Sequence, residues 1–353
     1  MIFINARFLT QSITGVQRYA LEISRILKKI DPSIRFVAPK NIKHPELAKE
    51  LGVEVIGRLT GHLWEQIELP RFLKSNGSPL LLSLATTAPV FYARKIVTVH
   101  DLAFMHFPDA VSWKFRLYYN FLIPRVLRSS LHVTTVSNFS KNDICSTYRI
   151  KPGHLTVVYN ASSSIFHAEN AALAKEKAII AVGSIQPYKN IETLVKAFDL
   201  FKQRGGSDYV LKLIGGWNKS VFKATALAQM LEGRSDVQLT GYVADADLFK
   251  MYGSATCYVF PSRFEGFGIP PLEAMACACP VIASTAASIP EVCLDAALYF
   301  DPDSADDMAE KMLQLVNDKA LQEELVKKGT ENIKRFSWEK SGQAMFEIIK
   351  KYQ

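Results

Sequence analysis

The chain has 353 residues, of which 48% are hydrophobic and 22% are charged, and its formal net charge is +8. Length and composition predict a soluble globular protein with two domains of ordinary size. The N-terminal residues lack the basic and apolar regions of a signal peptide, and no apolar run approaches the ~18 residues of a membrane-spanning helix. The five cysteines form no CxxC pair, which favours reduced thiols in a cytoplasm over a disulfide framework or a zinc site.

The positive charge is concentrated in the first half of the chain. Residues 1–165 carry 21 Lys and Arg against 10 Asp and Glu, a net charge of +11, and the remaining residues sum to −3. A basic half-chain favours an anionic membrane surface or an anionic substrate as partner, with a solvated basic surface as the plain alternative. Nucleic acid is not expected as a partner, because the sequence has no zinc-finger spacing, no RNP-type aromatic motif and no basic heptad segment.

Short apolar runs alternate with helical patterns along the first half. The candidate strands are MIFIN, IRFVA, LLLSL, KIVTVH, LHVTTVS and LTVVYN. These runs do not alternate with polar residues, as expected for parallel strands that are covered on both faces. The clearest helix follows the first strand, where one apolar stripe at helical spacing is formed by Val16, Tyr19, Ala20, Ile23, Ile26, Leu27 and Ile30.

The second half repeats this organisation. Its candidate strands are AIIAVG, YVLKLIG, VQLTG, TCYVF and PVIAS. A polar, Ala-rich segment, residues 167–178, separates the two series and is predicted to be a linker. The sequence therefore predicts an α/β protein with two doubly wound domains, the first at residues 1–166 and the second at residues 179–336.

Most of the chemically distinctive residues follow predicted strands. Because ligands of open α/β sheets bind beyond the carboxyl ends of the strands, these residues are expected to lie near a ligand. They are Gly15, His100, Asp101, Gly183, Lys189, Asn190, Gly215, Gly241 and Glu265.

The segment PSRFEGFGIPPLEAMACACPVIAS contains two glutamates, Glu265 and Glu273, on either side of a Gly- and Pro-rich turn. The two prolines predict a helix start, and the preceding glycines leave backbone N–H groups free to bind an anion. Glu273 is expected in the first turn of that helix, where its carboxylate can accept two hydrogen bonds from a vicinal diol such as a ribose. The alternative is that Glu273 is an ordinary helix N-terminal acid and Glu265 a loop acid.

This segment resembles the Glu-x7-Glu signature of the retaining glycosyltransferases of the GT-B fold, group 1 or family 4, and specifically their mannosyltransferase-like branch. Weaker resemblances follow the order of that family along nearly the whole chain; they are GVQRYALEI, TVHDLAFMHFPD, TVSNFSKNDI, VVYNASS, VGSIQPYKN, LTGYVADADLFKMYGSA, ASIPEV, YFDPDS and RFSWEKSGQAMFEIIKKY. The resemblance implies two Rossmann-like domains facing a central cleft. It also implies that the first domain binds the acceptor, the second binds the nucleotide sugar, and a C-terminal helix, residues 337–353, crosses back to the first domain.

The resemblance also implies roles for individual residues. Lys189 would neutralise the diphosphate, Glu265 would contact the transferred sugar, and His100 would lie at the reaction centre. Glu273 would hold the ribose hydroxyls. The further residues assigned to the donor are Gly15, Gly183, Asn190, Gly215, Gly241, Tyr242, Val243, Gly266, Phe267 and Gly268.

The sequence lacks one cationic residue that is common in the family. Many members carry an arginine beside the lysine, where this chain has Tyr188, and Arg263 is the candidate to replace it. No metal and no other cofactor is expected, because a lysine and helix N-termini can stabilise a diphosphate leaving group. Two Asp-x-Asp triples, beginning at Asp245 and Asp301, are interpreted as a helix start and a turn rather than as metal ligands.

The expected function is transfer of a hexose from a nucleotide sugar, with GDP-mannose as the first candidate, to a glycan or lipid-linked oligosaccharide of a surface polysaccharide such as lipopolysaccharide O-antigen. The expected location is the cytoplasm, including the inner face of the membrane. The alternatives are a catalytically silent partner subunit of the same fold, a nucleotide-sugar epimerase, and a Rossmann oxidoreductase. The last is weakened by the absence of GxGxxG after the first strand.

Overall fold

The computed structural model describes residues 1–166, 174–216 and 226–353, which form two compact units. The N-terminal unit comprises Met1–Asn160 and Ser337–Gln353, and the C-terminal unit comprises Ala161–Phe336. The division thus falls six residues before the boundary predicted at residue 166. The linker predicted at residues 167–178 lies largely outside the described residues and stays a prediction.

The N-terminal unit contains a seven-stranded parallel sheet. Its strands are β1 (Ile2–Asn5), β2 (Arg35–Ala38), β3 (Val53–Val55), β4 (Leu80–Ser83), β5 (Lys95–Thr98), β6 (His132–Thr135) and β7 (Leu155–Val157). The spatial order is β3-β2-β1-β4-β5-β6-β7, so the direction of winding reverses between β1 and β4. Such a reversal is where open α/β sheets bind ligands.

The helices of the N-terminal unit connect these strands. They are α1 (Gly15–Ile30), α2 (Pro45–Leu51), α3 (Gly61–Leu63), α4 (Leu69–Ser75), α5 (Ala103–His106), α6 (Trp113–Ser129) and α7 (Asn138–Tyr148). A π-helical turn, Trp64–Glu68, joins α3 to α4. Short 3-10 helices lie at Ala6–Thr10, Pro108–Ala110 and Pro152–His154.

The C-terminal unit contains a six-stranded parallel sheet. Its strands are β8 (Ala178–Val182), β9 (Val210–Ile214), β10 (Val237–Gly241), β11 (Cys257–Phe260), β12 (Val281–Ser284) and β13 (Ala297–Phe300). The spatial order is β10-β9-β8-β11-β12-β13, and here the winding reverses between β8 and β11. The two sheets therefore share one topology around their reversal points.

The described helices of the C-terminal unit are α8 (Ile191–Gln203), α9 (Ala226–Leu231), α10 (Asp245–Ser254), α11 (Ile269–Ala276), α12 (Ile289–Cys293), α13 (Ala305–Asn317) and α14 (Lys319–Asn332). Two 3-10 helices lie at Pro187–Lys189 and Ile333–Arg335. The last helix of the chain, α15 (Trp338–Lys350), returns to the N-terminal unit, as expected.

The packing of α15 on α1 explains how the chain end is held. A Cβ atom on Gly342 would lie 2.3 Å from Cγ2 of Ile26, so only glycine allows this approach of the two helices. The predicted stripe of α1 is buried at Tyr19, Ile23 and Leu27, whereas Ile30 at its end is 36% exposed. The stripe is therefore confirmed except at its ends.

All eleven predicted strands are present, and the described residues contain two further strands that were not predicted. The first, β3, is a three-residue edge strand in which Val55 is 51% exposed, so it lacks an apolar run. The second, β13, is a four-residue edge strand with two half-buried residues. No helix among the described residues is long and apolar enough to cross a bilayer. All five cysteines are free thiols.

Candidate active site

An ion pair lies where the winding of the C-terminal sheet reverses. Lys189 ends the 3-10 turn after β8, and Glu265 lies in the loop after β11. Lys189 Nζ donates to Glu265 Oε1 at 2.6 Å, and the two side chains are 18% and 12% exposed. The fold thus brings together two predicted site residues that are 76 positions apart. Both side chains thus keep partial contact with solvent.

The loop between β11 and α11 is fixed by backbone geometry and by one serine. Gly268 has φ of +99°, and a Cβ atom there would lie 3.1 Å from the Phe260 ring, so glycine is required. Ser288 Oγ donates to the carbonyl oxygens of Glu265 and Phe267, each at 2.9 Å. The sequence analysis did not identify Ser288, although it lies in the ASIPEV segment of the family resemblance. The buried serine orients the loop that carries Glu265.

Glu273 is buried and lies deeper in α11 than predicted. The helix begins at Ile269, with Pro270 and Pro271 at its start as expected, and Glu273 is its fifth residue. The expectation that Glu273 lies in the first turn is therefore wrong, because the helix begins at Ile269, before both prolines. Tyr252 Oη donates to Glu273 Oε2 at 3.3 Å. Burial, and next the Glu273 charge, raise the pKa of Tyr252 well above its usual value, so it keeps this proton.

Three glycines end neighbouring strands of the C-terminal sheet. Gly183 N donates to Ile214 O at 2.8 Å, and Gly215 N donates to Gly241 O at 2.9 Å. A Cβ atom on Gly215 would lie 2.1 Å from Gly183 O, so Gly215 permits close approach of two backbone segments. The strand ends are consequently tightly packed, and a ligand beside them would meet backbone rather than side chains.

The residues predicted to lie near the base and the sugar differ in exposure. Beyond Gly241, which has φ of +77°, Tyr242 is 80% exposed and Val243 is half-buried. Gly266 and Phe267 are buried, and Phe267 packs edge-to-face on Phe336 at a centroid distance of 5.4 Å. An exposed tyrosine ring after a strand end is available to stack on a ligand.

Asn190 and Arg263 hold the site together through contacts with each other and with the chain. Asn190 Nδ2 donates to Pro261 O at 3.0 Å and to Pro302 O at 2.7 Å. Arg263 donates through Nη1 to Asn190 Oδ1 and through Nε to Asp303 Oδ1 at 2.8 Å. The guanidinium is thus occupied by protein partners, and the prediction that Arg263 binds phosphate gains no support from its geometry.

The two Asp-x-Asp triples serve local structure. Asp301 Oδ1 accepts from Asp303 N at 2.9 Å, which closes a turn. Asp245 is the first residue of α10 as predicted, but the cap position is Ala244 and the cap has no side-chain hydrogen bond. The expectation that the aspartate caps this helix is therefore wrong by one position. Asp247 lies 3.4 Å from Lys250.

In the N-terminal unit, His100 follows β5 and is 5% exposed. Its Nε2 lies 2.9 Å from Leu84 O, and because a carbonyl oxygen can only accept, the proton lies on Nε2. Burial lowers the pKa of His100 to about 4, so the ring is neutral at pH 7 and Nδ1 is an acceptor. Tyr19 packs edge-to-face on this ring at 5.0 Å. Gly15 is exposed at the start of α1, next to the Thr14–Gln17 capping box.

A second, buried ion pair lies where the N-terminal sheet reverses, and the sequence analysis missed it. Arg7 follows β1, and Glu65 lies in the π-helical turn. Arg7 Nε donates to Glu65 Oε1 at 3.1 Å, and Arg7 Nη2 donates to Thr87 Oγ1 at 2.6 Å. Asn5 Nδ2 also donates to Glu65 Oε1, at 2.7 Å. The rule that polar residues follow strands could have found Asn5 and Arg7, but no sequence signal marks Glu65.

Both halves of the chain match families of glycosyltransferases. The family described as "Glycosyl transferases group 1" matches residues 163–332, and "Glycosyltransferase Family 4" matches residues 13–162. The chain is 29% identical to O-antigen chain mannosyltransferase B of Escherichia coli over 93% of each chain. It is 28% identical to O-antigen chain mannosyltransferase RfbU of Salmonella typhimurium, with 86% of this chain and 87% of the relative covered.

Solved structures show the same fold. The crystal structure of HepE from Anabaena in complex with UDP and glucose superposes with a TM-score of 0.78 at 15% sequence identity, covering 99% of both chains. At this identity the likeness concerns the fold alone. The two parallel sheets and the returning C-terminal helix are those of the GT-B fold.

Proposed function

Because the chain belongs to the group 1 glycosyltransferases and is a glycosyltransferase, we propose that it transfers mannose from GDP-mannose, with retention of configuration and without a metal. The acceptor is a glycan or lipid-linked oligosaccharide in the synthesis of a surface polysaccharide. The names of the two O-antigen mannosyltransferases support mannose as the transferred sugar and the synthesis of a surface polysaccharide as the pathway. The observation that carries the proposed chemistry is the Lys189–Glu265 pair at 2.6 Å.

The pair suggests how the donor binds. A nucleoside diphosphate carries more negative charge than a single carboxylate and competes with Glu265 for Lys189. Lys189 then stabilises the charge that develops on the leaving diphosphate, and Glu265 is released to accept hydrogen bonds from hydroxyls of the transferred sugar. Arg263 stays with Asp303 and Asn190, so Lys189 rather than Arg263 carries the cationic role in this proposal. In this proposal Asn190 and Arg263 position the loops rather than bind the donor.

The remaining donor contacts follow from the residues at the strand ends. Glu273, fixed by Tyr252, accepts hydrogen bonds from the ribose hydroxyls. The backbone of Gly183, Gly215 and Gly241 admits the nucleotide without side-chain clashes, and Tyr242 packs against the base. In the N-terminal unit, neutral His100 offers Nδ1 as a hydrogen-bond acceptor and cannot act as a cation at pH 7.

The donor assignment is tested by nucleotide binding and turnover. A thermal-shift screen against UDP, GDP, dTDP and ADP is expected to give the largest rise in melting temperature with GDP; a ligand at 100 times its Kd stabilises by about 2.7 kcal/mol. GDP-mannose with acceptor is then expected to release GDP and to form an α-linked product by NMR. A larger shift with another diphosphate would overturn GDP-mannose, and no shift with any would overturn the donor site.

Metal independence is tested by chelation. Transfer is expected to continue at an unchanged rate in excess EDTA, because Lys189 supplies the positive charge that a metal would otherwise provide. Loss of transfer that added Mg²⁺ or Mn²⁺ restores would contradict this part of the proposal.

We propose that helix α6 binds the enzyme to an anionic membrane face on the cytoplasmic side. Trp113, Leu117 and Phe121 share one side of α6 and are 70%, 65% and 55% exposed. The helix has no acidic residue, and its exposed basic residues are Lys114, Arg116, Arg125 and Arg128. Exposed aromatic side chains beside basic residues are the pattern of helices that lie in a bilayer interface.

Liposome sedimentation tests the α6 surface. Binding is expected to rise with anionic lipid and to weaken with salt, because the Debye length falls from ~10 Å at 0.1 M to ~3 Å at 1 M. Trp113→Ser with Phe121→Ser is expected to reduce binding, whereas Leu294→Ser, which removes an exposed leucine in the C-terminal unit, is the matched control. Equal binding to neutral and anionic vesicles would refute the proposal.

A further inference from the structure

A tyrosine hydroxyl is buried without a hydrogen-bond partner in β11, the strand that leads into the loop of Glu265. Tyr258 is the second residue of that strand and is 0% exposed, and its Oη has no hydrogen-bond partner among the described residues. Buried hydroxyls are normally paired, because a polar group that leaves water without a new partner costs free energy. Packing alone does not explain this hydroxyl, since a phenylalanine would fill almost the same space without that cost.

The Tyr258 ring lies one aromatic ring away from the ammonium group of Lys189. Side chains alternate between the two faces of a strand, so Tyr258 and Phe260 point to the same side of the sheet. Their neighbours Cys257 and Val259 belong to the main core of the unit on the other side. The Tyr258 ring stacks on the Phe260 ring at a centroid distance of 6.0 Å, and Lys189 Nζ lies 6.0 Å from the Phe260 centroid. Tyr258 is thus placed directly beside the ring that underlies the lysine.

A second buried tyrosine next to Tyr258 already serves a carboxylate. Tyr252 packs edge-to-face on Tyr258 at a centroid distance of 5.6 Å and donates to Glu273 Oε2 at 3.3 Å. Glu273 therefore has a tyrosine as hydrogen-bond donor in the free protein. Of these two neighbouring tyrosines, only Tyr252 has a carboxylate partner.

The hydroxyl of Tyr258 lies in the electrostatic field of both glutamates. Burial raises the pKa of Tyr258 well above its usual value, and the negative charges of Glu265 and then of Glu273 raise it further. The hydroxyl consequently keeps its proton at neutral pH and can donate it to a carboxylate. Glu265 has the larger effect of the two, which favours it as the partner of this hydroxyl.

We propose that Tyr258 is a positioning residue for Glu265, which accepts a hydrogen bond from Tyr258 Oη once the nucleotide sugar has drawn Lys189 away. This rests on the proposed function, in which the diphosphate competes with Glu265 for Lys189. In the free protein Lys189 satisfies Glu265 at 2.6 Å. When that contact opens, a carboxylate that is 12% exposed needs another hydrogen-bond donor, and Tyr258 Oη is a buried donor without a partner. A carboxylate accepts several hydrogen bonds, so Glu265 can still accept from sugar hydroxyls.

Removing one oxygen atom tests this role. Tyr258→Phe keeps the ring, and the urea midpoint of the free protein is expected to rise because an unpaired buried group is lost. GDP, or whichever of UDP, dTDP and ADP gives a larger thermal shift, is then titrated by calorimetry. Its affinity is expected to fall about 10- to 150-fold, since a hydrogen bond to a charged group contributes about 1.5–3 kcal/mol. A lower urea midpoint, or an unchanged affinity, would overturn the proposal.

The Glu265→Ala background identifies the partner of the hydroxyl. Without a carboxylate at this position, Tyr258→Phe should leave diphosphate affinity unchanged, so the effects of the two substitutions should not add. A purely structural role of Tyr258 would instead weaken binding to the same extent in both backgrounds. That result would overturn the assignment of Glu265 as the partner.

Tyr118→Phe is the matched control. The Tyr118 hydroxyl, in α6 of the N-terminal unit, is also buried without a hydrogen-bond partner among the described residues. Removing it should raise the urea midpoint and leave diphosphate affinity unchanged, and a loss of affinity here too would overturn a specific role for Tyr258. Failure of wild type to bind any of the four diphosphates would contradict the donor site together with this inference. Binding by wild type that Tyr258→Phe leaves unchanged would overturn this inference alone.

Discussion

The reversal points of the two sheets each carry a lysine or arginine paired with a glutamate, but the two pairs are built differently. Arg7 and Glu65 are 8% and 1% exposed, and Asn5 and Thr87 hold them through further hydrogen bonds. Lys189 and Glu265 are 18% and 12% exposed and lie on loops that follow two strands. The buried pair is fixed by its neighbours, whereas the more open pair is the one that we propose exchanges a partner for a ligand.

This difference separates a structural role from the proposed donor-binding role. The fixed, neutral pair joins the segments that follow β1 and β4 to the π-helical turn. In the proposed mechanism the open pair exchanges partners when the donor binds, so that Lys189 already faces the diphosphate when charge develops on the leaving group. In a low-dielectric interior, the first pair depends on both partners being present.

Breaking the buried pair should have the largest effect. Arg7→Met leaves an uncompensated buried carboxylate and is expected to lower the free energy of unfolding by about 3–5 kcal/mol in urea titrations. The double variant Arg7→Met/Glu65→Leu should recover most of the loss. Lys189→Met, the matched change in the open pair, should cost less, because both side chains of that pair keep more contact with solvent. Equal losses from the two single variants would remove the distinction between the pairs.

Removing the cation of the open pair should instead affect catalysis. Lys189→Ala is expected to lower the turnover number about 10²- to 10³-fold, the usual cost of deleting one group that stabilises transition-state charge. Initial rates of transfer measure this change. Lys250→Ala, which removes an exposed lysine of α10, should leave the rate unchanged. A loss below tenfold for Lys189→Ala would mean that another group stabilises the leaving diphosphate.

Acid should weaken the fold through the buried pair. The pKa of Glu65 is lowered to about 2 in the fold, against ~4.3 in an unfolded chain, so its stabilisation is present above pH 4.3 and is lost as pH falls toward 2. The slope is at most about 1.4 kcal/mol per pH unit for this group. The urea midpoint of wild type should therefore fall more steeply below pH 4.3 than that of Arg7→Met/Glu65→Leu. Parallel profiles would show that Glu65 is not held ionised.

The sequence predicted the architecture well, because the strands are buried on both faces. Runs such as LLLSL and AIIAVG are almost wholly apolar, and each became a strand of a parallel sheet. The edge strands β3 and β13 were missed because a short edge strand is partly exposed and needs no such run. The open pair was also predictable, since Lys189 and Glu265 each follow a strand in recognisable loops.

The buried pair was not predictable for a geometric reason. Arg7 and Glu65 are 58 positions apart, and Glu65 lies in a π-helical turn that no local pattern marks. Its position depends on how the segment from α3 to α4 packs against the end of β1, which only the folded chain determines. The position of Glu273 within α11 was also misjudged. Proline is allowed anywhere in the first helical turn, so the two prolines do not determine the residue at which the helix begins.

The central claim is that Glu273 and Glu265 contact different parts of one nucleotide-sugar donor, and calorimetric binding of the nucleoside diphosphate tests it most directly. Glu273→Ala removes a contact to the ribose and should weaken diphosphate affinity about 10- to 150-fold, since a hydrogen bond to a charged group contributes about 1.5–3 kcal/mol. Glu265→Ala removes a contact to a sugar that the diphosphate lacks and frees Lys189, so affinity should stay equal or increase while turnover falls. If Glu265→Ala weakens diphosphate binding as much as Glu273→Ala does, the two assignments are wrong.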